Sequence, residues 1–194
     1  MRHKLNLDLR SVDRISMLIH SAYGAGKTHL VGDMLRSERT RVHGLKGLEA
    51  TADNAATITA SNVLFVNIKG EDGTLSLSDM GLGDVGETVE TLEDWQSLVE
   101  DIRKMQLIAL GVDSLKALVR LVMRAKIGKD RPPEKTEYGI IHWVMENLAT
   151  ELRTLASVVL CVCPSDKSVN QLDGRTYITP DLPGREAAGS AGWF

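Results

Sequence analysis

Eight residues constrain this chain more than any others: Ser21-Ala22-Tyr23-Gly24-Ala25-Gly26-Lys27-Thr28. They follow the phosphate-loop pattern G-x-x-x-x-G-K-[ST] except at its first position, where Ser21 replaces glycine. Upstream, Ile15 to Ile19 is short and β-branched enough for a buried strand; downstream, Leu30, Val31, Met34 and Leu35 recur at helical spacing. A strand, this loop and a helix in succession make a cradle for an anion. Gly24 and Gly26 let the backbone curl so that successive N–H groups point inward, and the helix N-terminus adds its partial positive charge. Ser21 to Thr28, with the adjoining His29, are therefore the candidate nucleotide contacts. In such a loop Lys27 reaches the β and γ phosphates and Thr28 holds Mg2+. The side chain of Ser21 must clear the loop for this to work.

The 194 residues suit one domain, 1–194, long enough to bury most of the apolar surface that the unfolded chain exposes. A net charge of −3 supplies no global field toward nucleic acid, so any DNA contact has to come from a local patch. No apolar run approaches the ~20 residues of a membrane span, and Met1 to Arg10 lacks a signal-peptide core. The expected location is the cytoplasm, with no membrane contact. Cys161 and Cys163, the only cysteines, sit two apart on one face of an apolar run, too close for an unstrained disulfide. Core packing in a reducing compartment is the first reading and a metal site the second, since no histidine accompanies them.

Taken in order, Leu5, Leu7 and Leu9 alternate with polar residues as in a half-buried strand. Residues 37–62 read as an irregular excursion with one short helix. Val63 to Val66 with Ile68 forms a second apolar strand, aimed at Glu71. Asp79 to Gly86 reads as loop, and Thr91-Leu92-Glu93-Asp94 as a capped helix start ahead of Leu92, Trp95, Leu98, Val99 and Ile102. Leu107 to Val112 is the third buried run, followed by a helix with Leu115, Leu118, Val119 and Val122. Arg124 to Glu137 breaks the pattern. Ile141, Val144, Met145, Leu148, Leu152 and Leu155 then mark another helix, and Ser157 to Cys163 a fourth strand ended by Pro164. In the polar tail only Thr176-Tyr177-Ile178 looks like a strand. The alternation predicts an α/β fold: a mostly parallel sheet, helices on both faces, ligands at the carboxyl ends of the strands.

Three groups fall at those carboxyl ends. The first is the phosphate loop. The second is Asp113, closing Leu110-Gly111-Val112-Asp113 as a Walker-B acid does, where a carboxylate holds Mg2+ through water opposite Thr28. The third is Glu71, on the turn after the second strand. It reads either as the group that polarises a water for in-line attack on the γ phosphorus or as a solvated loop acid beside Asp72. ATP is favoured over GTP because no Asn-Lys-x-Asp element reads a guanine edge. Hydrolysis is favoured over kinase chemistry because no acceptor site shows.

With these residues in place the chain resembles the small phage-encoded RecA-like P-loop ATPases, the phage nucleotide-binding proteins that include single-strand annealing proteins. The resemblance runs from Ile15 to Phe194. It rests on the loop Tyr23 to Thr28, on Glu71-Asp72-Gly73-Thr74-Leu75-Ser76-Leu77, on Val112-Asp113-Ser114-Leu115, and on Pro180-Asp181-Leu182-Pro183-Gly184-Arg185. It implies a RecA-like core in which Glu71 is the catalytic glutamate, Lys27 a catalytic lysine and Asp113 the Walker-B acid. It further implies ATP-dependent handling of single-stranded DNA in phage recombination, by a homo-oligomer or filament. The chain departs from the family in ending its fourth strand Cys161-Val162-Cys163-Pro164, where a polar γ-phosphate sensor is expected, and in stopping about where the family adds further strands.

The same resemblance puts DNA on the loops after the third and fourth strands. Arg124, Lys126, Lys129, Arg131 and Lys135 would neutralise phosphates on the first; Lys167, Arg175 and Arg185 on the second, with Tyr177 as a stacking platform. A solvated basic loop, offset by Asp130, Glu134 and Glu137, explains the first group equally well. Lys167 or Arg185 acting on a neighbouring subunit's γ phosphate is a further reading. The functional alternative to a DNA-dependent ATPase is a nucleotide-switched interaction module with little turnover, and a nucleotide kinase stands third.

Overall fold

The computed structural model describes residues 14–35, 63–70, 77–82, 85–105, 107–128, 134–169 and 174–182. Within them the apolar runs become one sheet. β1 (Ile15–Ser21), β5 (Val158–Val169), β4 (Ala109–Asp113), β2 (Val63–Ile68) and β3 (Gly86–Val89) lie side by side in that order, all parallel. β6 (Thr176–Pro180) pairs antiparallel with the outer half of β5. Strands buried on both faces need apolar residues at successive positions rather than at alternate ones, which is how β2, β4 and the first half of β5 are written.

Helices cover both faces, as expected of the α/β class. Helix α1, described over 27–35, lies on one side, where Val31 and Leu35 pack with Phe65, Leu77, Leu160 and Val162. Helices α2 (Leu92–Met105), α3 (Leu115–Ile127) and α4 (Tyr138–Leu155) lie on the other, where Trp95, Leu118, Ile141 and Leu152 meet Val66, Val112 and Cys161. Gly111 sets how closely α1 approaches the sheet. A Cβ built there would stand 2.9 Å from Val31 Cγ1 and 3.0 Å from Phe65 Cδ2.

Local chemistry fixes the helix starts. At α2, Asp94 Oδ2 accepts from Thr91 N at 2.9 Å and Thr91 Oγ1 accepts from Asp94 N at 3.1 Å, the reciprocal cap that Thr91-Leu92-Glu93-Asp94 predicts. Hydrogen bonding from the Thr91 hydroxyl first, then from the Thr91 and Glu90 amides, holds the Asp94 carboxyl below its ordinary range. At α3, Ser114 is the cap and accepts from Ala117 N at 3.2 Å.

Four expectations are corrected. Leu30 is half exposed rather than part of the buried stripe, because Val31 and Leu35 already define the face turned to the sheet. The stretch expected as loop, Asp79 to Gly86, is flanked by a helical turn at 77–79 and by strand β3, each taking one of its end residues, and Gly-Glu-Thr-Val is too polar to announce that strand. Helix α3 runs on through Arg124 and Lys126 to Ile127, the apolar face continuing past the first basic residues. Pro164 does not end its strand. It sits where β5 leaves β1, opposite Ser21, and turns to pair with β6 from Ser165, so its missing N–H falls at the switch between partners.

Candidate functional site

The loop between β1 and α1 is shaped by two residues of positive φ, Gly24 at 72° and Gly26 at 79°, values that side chains resist. Ser21 fits in the glycine position because it is still the last residue of β1, in strand conformation; its hydroxyl donates to Ala22 O at 3.3 Å. The Lys27 ammonium donates to Ser21 O at 3.1 Å and Ala22 O at 2.8 Å and stands 5.7 Å from the centre of the Tyr23 ring. It is held by the loop's own acceptors, which an incoming polyanion must replace. Ala22 to Gly26 and His29 are exposed, so the loop borders an accessible mouth.

Across that mouth lies the end of β4. Thr28 Oγ1 donates to Asp113 Oδ2 at 2.5 Å, joining the first turn of α1 to the third buried strand. Asp113 is 5% exposed, and the peptide that follows it, to Ser114, is cis. Beside it in register on β2 is Asn67, also 5% exposed, on the same face of the sheet. A hydroxyl and a carboxylate converging from two elements form a hard-oxygen donor pair. Among the described residues no group of three or more His, Cys, Asp or Glu gathers to hold a metal. Two protein oxygens at an open mouth would suit Mg2+, which keeps several waters among its ligands.

The site has neighbours that sequence reading passes over. His20 Nδ1 and Ser165 Oγ are 3.0 Å apart, linking β1 just before the loop to β5 just after Pro164. A polar pair therefore stands near the expected sensor position, shifted beyond the cysteines. Lys116, in the first turn of α3, forms an ion pair with Asp181, whose N–H donates to Pro164 O at 2.7 Å. The late Pro180-Asp181-Leu182 segment is thereby fastened beside the start of α3, with Leu182 in the core of that face. The cysteines are buried and free, as the packing reading predicts. Burial raises both thiols, and Cys163, with the Asp181 carboxylate adding to the effect, is pushed up to about 12.

Other expected residues lie apart from this mouth. Arg124 and Lys126 are in the last turn of α3, in the helical layer across the sheet from α1, so the basic group expected on a loop begins on a helix. Lys126 lines a groove shared with α2 and α4. Lys167 is exposed on the outer half of β5 and Arg175 just before β6. In the hairpin register Lys167 pairs with Ile178 and Tyr177 with Ser168, which puts Lys167 and Tyr177 on opposite faces. Glu71, Lys129, Arg131 and Arg185 fall outside the described residues.

No protein-family model matches the sequence, and no curated protein matches it. Among solved structures the chain is similar to a KaiC-like protein from the hyperthermophilic archaeon Pyrococcus horikoshii OT3. That similarity has 10% sequence identity over 87% of this chain and 78% of that one, with a TM-score of 0.41. A likeness of this degree carries no function across. Among the described residues no helix is long and apolar enough to cross a membrane.

Proposed function

We propose that this chain is a RecA-like, Mg2+-dependent ATPase that acts on single-stranded DNA as a homo-oligomer, of the kind phages use in recombination or annealing. One observation carries the nucleotide part: Thr28 Oγ1 meets Asp113 Oδ2 at 2.5 Å at the mouth of a glycine-turned loop bearing Lys27. The pair would hold Mg2+ between them, Lys27 would exchange its two carbonyls for phosphate oxygens, and the loop amides would cradle the rest. Mg2+ there would neutralise charge developing on the β and γ phosphates. Glu71 is proposed to orient the attacking water.

The DNA part rests on exposed cations beyond the sheet's carboxyl edge, Lys167 and Arg175 on the β5–β6 hairpin, with Arg124 and Lys126 as a separate basic group. ATP turnover titrated against single-stranded DNA tests it: a rise that fades with added salt is expected, and a flat rate rejects it.

The second reading, a nucleotide-switched interaction module, is favoured by a different feature. Trp143 is 61% exposed on α4 beside a groove of about 820 Å3 between α2, α3 and α4. The Glu71→Gln variant separates the two. An ATPase loses turnover and keeps ATP affinity; a switch with little turnover scarcely changes.

A further inference from the structure

Lys27 shares the carboxyl edge of the sheet with a second lysine that no motif announces. Lys116 lies three residues after Asp113, in the first turn of α3, and forms an ion pair with Asp181. A short chain of contacts joins the two cations. The Lys27 ammonium donates to Ser21 O at 3.1 Å, and Ser21 is in register with Pro164 on the neighbouring strand. Pro164 O accepts from Asp181 N at 2.7 Å, and the Asp181 carboxylate holds Lys116. Cys163 adjoins the same group, its Sγ donating to Asp181 O at 3.7 Å. Burial is the main cause that raises the Cys163 thiol, but Asp181 adds to the rise while Lys116 and Lys27 oppose it, so all three charges share one neighbourhood.

The Lys116–Asp181 pair is lopsided. Side-chain exposure is 18% for Lys116 and 35% for Asp181, so the cation is the more buried member. Lys116 also sits at the end of α3 where the helix's partial charge is positive, which favours an anion beside it. An ammonium in that position keeps an anionic partner, because a largely buried charge left unpaired is strongly destabilising. The partner itself is replaceable. The main chain of Asp181 is anchored at Pro164 O, and the next residue, Leu182, is buried in the core. The carboxylate therefore leaves by rotating about its own side-chain bonds, a fast motion, while the segment stays in place. Lys116 follows the strand that ends in Asp113, the acid bonded to Thr28, so it stands on the Thr28–Asp113 side of the mouth.

We propose that Lys116 is a second phosphate-binding cation of the nucleotide site, held by Asp181 as a placeholder and transferred to the terminal phosphate of a bound triphosphate. The proposal rests on the nucleotide reading above and adds to it a means of telling a triphosphate from a diphosphate. A triphosphate laid over the loop with its end toward Thr28 and Asp113 exchanges the Asp181 carboxylate for a phosphate oxygen on the same ammonium, so no buried charge is left alone. A diphosphate ends short of Lys116 and leaves the ion pair made.

Affinities of the full chain for ADP and for a non-hydrolysable ATP analogue, measured with Mg2+, test this. Lys116→Gln is expected to weaken the analogue by about tenfold or more, the scale of a lost charged hydrogen bond, and ADP by less than about threefold. Asp181→Asn is expected to act in the opposite direction, tightening the analogue by about threefold or more, because the phosphate no longer has to displace a carboxylate. The two halves of a merely structural ion pair shift binding the same way or not at all, and either result overturns the proposal. Equal losses of ADP and analogue in Lys116→Gln overturn it too. The double variant carries no unpaired charge and so keeps the fold; it is expected to bind the analogue as weakly as Lys116→Gln alone, and restored affinity would show that the pair only supports the fold. An unaltered chain that binds neither ADP nor the analogue rejects the nucleotide reading and this proposal together. Binding that is lost in Lys27→Ala but unchanged in Lys116→Gln and Asp181→Asn rejects this proposal alone.

Discussion

Thr28 and Asp113 are 85 positions apart, yet the hydroxyl of one donates to the carboxylate of the other at 2.5 Å. The contact ties the first turn of α1 to the end of β4, next to Lys27, whose ammonium is bonded to the loop carbonyls. Because Asp113 lies in a buried strand and Thr28 in a packed helix, both oxygens are positioned by those elements rather than by the exposed loop that precedes Thr28.

Replacing Asp113 by Asn keeps an acceptor for Thr28 and removes the charge. The fold is expected to persist while ATP affinity measured with Mg2+ falls by about tenfold or more, the scale of a lost charged interaction. Affinity in chelator should be little changed. Calorimetric titration with and without Mg2+ checks this, and an equal loss in both would place Asp113 outside the metal site.

For Lys27→Ala, triphosphate affinity is expected to drop by on the order of 100-fold, since several charge-assisted bonds to phosphate are lost together. Its present partners are the Ser21 and Ala22 carbonyls, which water can serve at the accessible mouth, so melting should move only slightly. Fluorescent-nucleotide titration beside a thermal melt measures both. Retained affinity contradicts the site.

Gly111→Ala and Gly32→Ala should differ in severity. At Gly111 the added Cβ meets Val31, Phe65 and Leu35 within 3.2 Å, three side chains locked in the core, and the cost is about 1–3 kcal/mol. At Gly32 the nearest atoms are Sδ and Cε of Met80, at 2.7 and 2.8 Å, the far end of a flexible side chain. Denaturant midpoints should rank Gly111→Ala well below Gly32→Ala; the reverse order would mean that α1 is not held against β4 as described.

Cys163 should resist thiol reagents at pH 8. A thiol pushed up to about 12 stays protonated there, and the reactive thiolate appears only as pH approaches that value or as the chain unfolds. Cys161, buried and raised further, should follow. Labelling is expected only in denaturant; stoichiometric labelling of the folded chain would show that β5 opens readily.

The glycine-turned loop after β1 was legible because its pattern is local: two glycines, a lysine and a threonine stand at fixed offsets, and the flanking apolar runs announce strand and helix. The buried strands were legible for the same reason, each being a continuous apolar run. β3 was not, because Glu87 and Thr88 face solvent on an edge and leave no pattern. The extension of β5 was hidden by Pro164, whose effect depends on which neighbour is in reach. Asn67 and Ser165 were invisible as site neighbours because only strand order brings them near the loop and Asp113, and His20 and Lys116, close to these in sequence, were passed over because their partners Ser165 and Asp181 are distant in the chain. Arg124 and Lys126 were misread as the start of a break in the pattern, since a helix with an apolar face absorbs cations in its last turn without interruption.

β5 is a single span of twelve residues lying between β1 and β4 at one end and carrying the β6 hairpin at the other. It therefore works as a beam with its root clamped between the strand that leads into Lys27 and the strand that ends in Asp113. The Lys116–Asp181 ion pair ties the segment that follows β6 to the first turn of α3, so the overhang is fastened at its far end as well as at its root.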